Sequence, residues 1–196
     1  MTEIPLFPLS ATLLPHGRMP LQIFEQRYLQ LVKDSMRRGE GFGIVRIERG
    51  AEAGSNDLPE VAPIGTVARI VDWDQLDNGL LGITVEGGQR FRPSELWRED
   101  SGLIRAQVEL LPEPETATMV EDWEPMRVVL KGLAMHPHVE RIGLSIDFDD
   151  AWQVGYTLVQ LLPIDERDKV RLLSLESADA LMSALDQVLS VLGGPA

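Results

Sequence analysis

The chain has 196 residues, is 44% hydrophobic and 25% charged, and carries a formal net charge of −13 with no cysteine. Disulfides, thiolate catalysis and cysteine-ligated metals are therefore excluded, and the acidic balance argues against nucleic-acid affinity by counterion release. No apolar run reaches the ~18 residues a membrane helix needs, and residues 1–5 lack a secretory n-region, so the cytoplasm is the expected compartment.

The first half reads as β structure. Residues 3–9 are apolar but contain Pro5 and Pro8, which cannot donate to a ladder, so an edge strand or extended segment is expected. Pro15-His16-Gly17 is a turn signal. A helix follows: Phe24, Tyr28, Leu31, Val32 and Ser35 recur at helical spacing, Gly39 ends it, and Phe24 and Tyr28 are expected to anchor it. Lys33, Arg37 and Arg38 form its solvated face. Strands are expected at 42–47, 64–73, 80–85 and 104–110, the last with clean alternation of Ile104, Ala106, Val108 and Leu110. Asp77-Asn78-Gly79 and Gly87-Gly88 read as hairpin turns. Residues 51–60, small and polar, read as a loop.

Pro112-Glu113-Pro114-Glu115-Thr116 marks a boundary, after which the period becomes helical. Met126, Val129, Leu130 and Leu133 share a face. Asp149 and Asp150 offer caps for a helix through Trp152, Tyr156 and Val159 to Leu162, and Pro163 interrupts it. Asp165 with Asp168 resembles a capping box. Ser177 caps the last helix, striped by Leu181, Leu185, Val188, Leu189 and Leu192 and stopped by Gly193-Gly194-Pro195. Strands first and helices last predict an α+β fold, with a β subdomain over 1–115 and a helical subdomain over 116–196.

Several segments, in order, carry a family signature. They are Ile4-Pro5-Leu6-Phe7-Pro8-Leu9, Pro15-His16 with Pro20-Leu21, and Ile23-Phe24-Glu25-Gln26-Arg27-Tyr28. Phe42-Gly43-Ile44-Val45, Ile64-Gly65-Thr66-Val67-Ala68-Arg69-Ile70 and Gly88-Gln89-Arg90-Phe91-Arg92 follow, then Leu162-Pro163-Ile164 and the paired leucines near 173. Together they resemble the N-terminal, substrate-recognition domain of Lon proteases, in its stand-alone bacterial form. The resemblance implies a PUA-like β pseudobarrel with one inserted helix, followed by a helical bundle. It also implies a module that selects polypeptides and is not an enzyme. No G-x-x-x-x-G-K-[ST] cradle occurs, and the sequence ends at Ala196 before a Ser-Lys peptidase would fit.

Other chemistry is poorly supported by the residues. His136-Pro137-His138 lacks a third metal ligand. Asp147, Asp149 and Asp150 lack the glycine and terminal glutamate of a calcium loop. Gly143-Leu144-Ser145-Ile146-Asp147 lacks the second glycine of a nucleophile elbow. No cofactor is implied.

Four tryptophans stand at 73, 97, 123 and 152. Trp123, flanked by Met119 and Met126, and Trp97 are candidate partner-binding residues, weighed against the plainer reading that the rings are core. The expected surface centres on the junction between strands and helices. The expected partners are exposed apolar or basic polypeptide segments, because Glu121, Asp122 and Glu124 surround Trp123. A separate protease is a further expected partner; nucleic acid and membrane are not. The alternative is a PUA-like module binding a small molecule or RNA, with Lys33, Arg37 and Arg38 as the patch.

Overall fold

The computed structural model describes residues 1–50 and 57–192. The greater part of the expected loop at 51–60, and the Gly193-Gly194-Pro195 stop, lie outside the described residues. The chain divides into two units, Met1–Glu113 and Pro114–Ala196.

Among the described residues of the first unit, six strands alternate with one helix. They are β1 (Thr2–Leu9), β2 (Arg18–Ile23), α1 (Gln26–Arg38), β3 (Phe42–Arg49), β4 (Glu60–Gln75), β5 (Leu81–Arg98) and β6 (Ile104–Leu110). The sheet order is β2-β5-β4-β3-β1-β6, and β5 also pairs with β6. That extra pairing closes the sheet on itself as a pseudobarrel. β5 makes closure possible by length: its first part pairs with β2 and β4, and its second part with β6.

β1 is not an edge strand. It runs parallel to β3 and antiparallel to β6, between the two. Its prolines are tolerated because the strand changes partner halfway. Residues 2–6 pair with β6 and residues 6–9 with β3, so Pro5 and Pro8 each have one ladder and one open side.

Gly87-Gly88 is not a hairpin turn either. Both glycines lie inside β5, where the register against β4 shifts between Thr66 and Ala68. A Cβ on Gly87 would lie 2.1 Å from the Leu14 carbonyl oxygen. The turn at Pro15-His16-Gly17 lies against this point: His16 N–H donates to Gly87 O at 2.8 Å and Gly87 N–H to Gly17 O at 2.9 Å. The glycine is there for close approach. Asp77-Asn78-Gly79 does form the β4–β5 turn, with Gly79 at φ 80°.

The barrel core joins Phe7, Ile23, Tyr28, Leu31, Val32, Phe42, Ile44, Ile83 and Val85. Tyr28 anchors α1 by stacking on Phe7, with centroids 3.8 Å apart. Phe24 does not share that role: it precedes the helix and is 62% exposed. Gly39 ends α1 in the left-handed conformation, φ 69°.

The second unit holds a 3-10 turn (Glu121–Trp123) and five helices among its described residues. These are α2 (Glu124–Ala134), α3 (Pro137–Glu140), α4 (Ala151–Leu161), α5 (Glu166–Leu173) and α6 (Ala178–Leu192). α4 is its centre, buried at Ala151, Trp152 and all of 154–159. Gly155 admits α6, since a Cβ there would meet Leu181 at 2.5 Å. The expected caps are present. Asp150 accepts from the Trp152 and Gln153 N–H groups, Asp165 from Arg167 N–H, and Ser177 from Ala180 N–H. The Trp152 indole donates to Glu115 O at 3.1 Å, satisfying its buried polar end.

Candidate recognition surface

The sheet register places Leu21, Ile83 and Trp73 in one cross-strand row, on β2, β5 and β4 in turn. Ile83 is covered on both sides and buried. Trp73 ends the row. The β3–β4 ladder has its last rung at Phe42 and Ala68, so the stretch of β4 that carries Trp73 has no β3 partner. The ring is consequently 59% exposed.

Two shallow clefts meet at this ring. One, of about 320 Å³, is floored by Pro20, Leu21, Leu76 and Ile83. The other, of about 290 Å³, lies between β4 and the end of α1, where Met36 and Val71 stand beside Trp73. Met36, Val71 and Trp73 are all exposed apolar side chains.

The charge around the ring is mostly acidic. Asp72 and Asp74 flank it, and Glu40 lines the second cleft. The Arg69 guanidinium, in the same cleft, is held by Glu86 at 3.2 Å. Each aspartate also serves the backbone: Asp72 Oδ1 accepts the Trp73 N–H at 2.9 Å, and Asp74 Oδ1 accepts the Gln75 N–H at 2.7 Å.

A larger cleft of about 460 Å³ lies between α1, β1 and the start of β6. Its cations are engaged. Arg105 pairs with Glu3 at 2.6 Å and Glu99 at 3.4 Å, Arg27 with Glu25 at 2.9 Å, and Arg38 with Glu40 at 3.9 Å. Asp34, on its α1 wall, is held below the usual carboxylate value mainly by the hydrogen bond from Gln30; desolvation opposes this, and Arg37, Arg38 and Lys33 add to it. The Lys33, Arg37 and Arg38 side chains lie on the solvated face, with Arg37 paired to Asp34 at 3.1 Å. No cluster of three metal-ligating side chains occurs among the described residues.

The four residues singled out from sequence are placed differently. Met126 is 3% exposed and packed inward on α2, which removes it from any contact surface. Met119 and Trp123 are half-buried in the second unit. Trp97, also half-buried, lies on β5 of the first unit. Trp73 was missed. Its exposure depends on where the β3 ladder stops, which no local pattern encodes.

The ATP-dependent protease La (LON) substrate-binding domain family model matches residues 3–190. A Lon N-terminal domain protein from Xanthomonas campestris, known by crystal structure, is 30% identical; the match covers 94% of this chain and 97% of that one, with a TM-score of 0.75. The N-terminal domain of the Mycobacterium avium complex Lon protease shares the fold at 14% identity and a TM-score of 0.61. Lon protease 2 of Myxococcus xanthus is 31% identical over 67% of this chain, a stretch that is 16% of that relative's length. The chain thus corresponds to a small part of that protease. Both the aligned span and the pseudobarrel architecture lead to one conclusion: the chain belongs to the Lon substrate-binding domain family.

Proposed function

We propose that the chain is a non-catalytic module that binds exposed apolar segments of polypeptides. The observation that carries this reading is Trp73, a large rigid ring left uncovered between two shallow apolar clefts. Exposed tryptophan anchors of this kind are typical binding hot spots, and the family's description is substrate binding. Half-buried Met119 and Trp123 are a second surface for the same task. A cytoplasmic site of action, and cooperation with a separate protease, belong to the same proposal. No described helix is long and apolar enough to cross a membrane.

The RNA or small-molecule alternative draws less support. The arginines of the cleft between α1, β1 and β6 are paired with carboxylates or bonded to backbone, and paired cations are poor partners for phosphate.

The test is binding of a reduced, alkylated, permanently unfolded model protein, read by fluorescence anisotropy. Trp73→Ala is expected to weaken it about tenfold or more, in the range of a hot-spot truncation. Unchanged affinity would remove Trp73 from the site. ATP hydrolysis or casein cleavage by the pure protein, abolished by a point substitution in this chain, would contradict the non-catalytic reading.

A further inference from the structure

We infer that the Trp73 surface selects segments in which apolar side chains alternate with lysine or arginine, and grips them by side chains rather than by adding a strand. The inference rests on the polypeptide-binding reading and adds the class of segment and the mode of contact.

The mode follows from the ladder. Leu76 N–H donates to Leu80 O at 2.9 Å, and the register from there to Trp73 is unbroken. In an antiparallel pair inward and outward N–H groups alternate. Gln75 and Trp73, one and three residues back from Leu76, therefore direct their N–H groups away from β5, toward the open side of β4. An open edge with free donors invites another strand. Here both donors are occupied by Asp72 Oδ1 and Asp74 Oδ1. A strand arriving at this edge would have to displace two charged caps.

The class follows from the charge. The same aspartates spend one oxygen on the backbone and keep Oδ2 for a ligand. Both line the same cleft as the ring and stand two residues apart on β4, the spacing of alternate side chains in an extended chain. The charges lining the cleft of Leu21 and Ile83 are acidic alone. In the neighbouring cleft Glu40 and Arg69 are both paired, with Arg38 at 3.9 Å and with Glu86 at 3.2 Å, which among the described residues leaves Asp72 as the charge without an ion-pair partner there. An apolar side chain laid on Trp73 thus brings its sequence neighbours to carboxylates. Lysine and arginine gain there, and glutamate and aspartate are repelled.

Two labelled peptides test this, sharing their leucines and phenylalanine, with lysine in one and glutamate in the other at the intervening positions. At low ionic strength the lysine peptide is expected to bind about five- to tenfold more tightly, the yield of two exposed ion pairs. Asp72→Asn with Asp74→Asn keeps both Oδ1 acceptors and removes the charges, and brings that ratio toward one. Asp179→Asn with Asp186→Asn, on the exposed side of α6, changes net charge equally and leaves the ratio in place. Methylating the backbone nitrogens of the lysine peptide leaves its affinity within about twofold.

Equal binding of the two peptides overturns the inference and leaves the polypeptide-binding reading intact. So does an α6 pair as damaging as the β4 pair, or a tenfold loss on backbone methylation. Failure of both peptides and of the unfolded protein to bind overturns both readings.

Discussion

Trp73 and Ile83 face each other across the β4–β5 ladder, yet Ile83 is 2% exposed and Trp73 59%. The register is the same and the cover differs, because β2 continues the sheet past β5 while β3 stops short of this part of β4. The two positions should therefore separate stability from binding. Ile83→Ala is expected to cost about 2–5 kcal/mol in denaturant unfolding, as buried aliphatic truncations do. Trp73→Ala is expected to change stability by less than about 1 kcal/mol, as exposed positions do. A large loss at Trp73 would mean that the ring is structural.

Gly87 and Gly88 are neighbours with opposite tolerances. A Cβ at Gly87 would press on the Leu14 carbonyl at 2.1 Å, whereas at Gly88 the nearest atom is 3.6 Å away. Gly87→Ala is expected to destabilise by about 1–3 kcal/mol or more, the cost of forced overpacking. Gly88→Ala should be tolerated within about 0.5 kcal/mol. Thermal unfolding of the two variants checks this, and equal effects would contradict the close approach.

Asp150 caps α4 through two backbone N–H groups, and its own backbone forms an isolated bridge to Thr118. Asp150→Ala should cost about 0.5–2 kcal/mol. Asp149→Ala should cost less, since its carboxylate makes an exposed contact to Arg127 at 2.8 Å. The reverse order in urea unfolding would contradict the cap assignment.

Arg127 binds the Glu124 carboxylate and also reaches Asp149. The hydrogen bond from Arg127 holds Glu124 below its ordinary value of 4.5, against a desolvation penalty, with Arg127 and Lys131 charges adding to it. A depressed carboxyl stabilises the fold above its unfolded pKa, and that contribution is lost as pH falls through the lower folded value. Arg127→Gln should thus lower the melting temperature at pH 7 and converge with the unaltered protein in strong acid. Parallel melting curves across the acid range would contradict the linkage.

What could be read from the sequence was local. Asp150, Asp165 and Ser177 announce helix starts within three residues, and the alternation marks a strand whose inward face holds Ile104, Ala106 and Val108, although Leu110 at its end is exposed. Gly39 ends α1 because only the left-handed conformation closes that turn easily. What could not be read depended on distant partners. Pro5 and Pro8 suggest an edge, but the change of neighbour at Leu6 makes room for them inside the sheet. Gly87-Gly88 suggests a turn, yet the need is close packing against Leu14. β2, with Pro20 at its centre, carries little strand signal and is held by pairing along β5. The burial of Met126 and the exposure of Trp73 were not legible for one reason: the cover of a ring or thioether is set by tertiary neighbours.

The most direct test of the account is amide chemical-shift mapping of the protein with a permanently unfolded polypeptide. Perturbations are expected to concentrate at Pro20 to Gln22 on β2, Val71 to Gln75 on β4 with Leu76 in the turn after it, and Gly82 to Thr84 on β5, read at each non-proline amide, and to be lost in Trp73→Ala. Perturbations confined to α2 and the segment around Met119 and Trp123, with β4 and β5 unmoved, would contradict it.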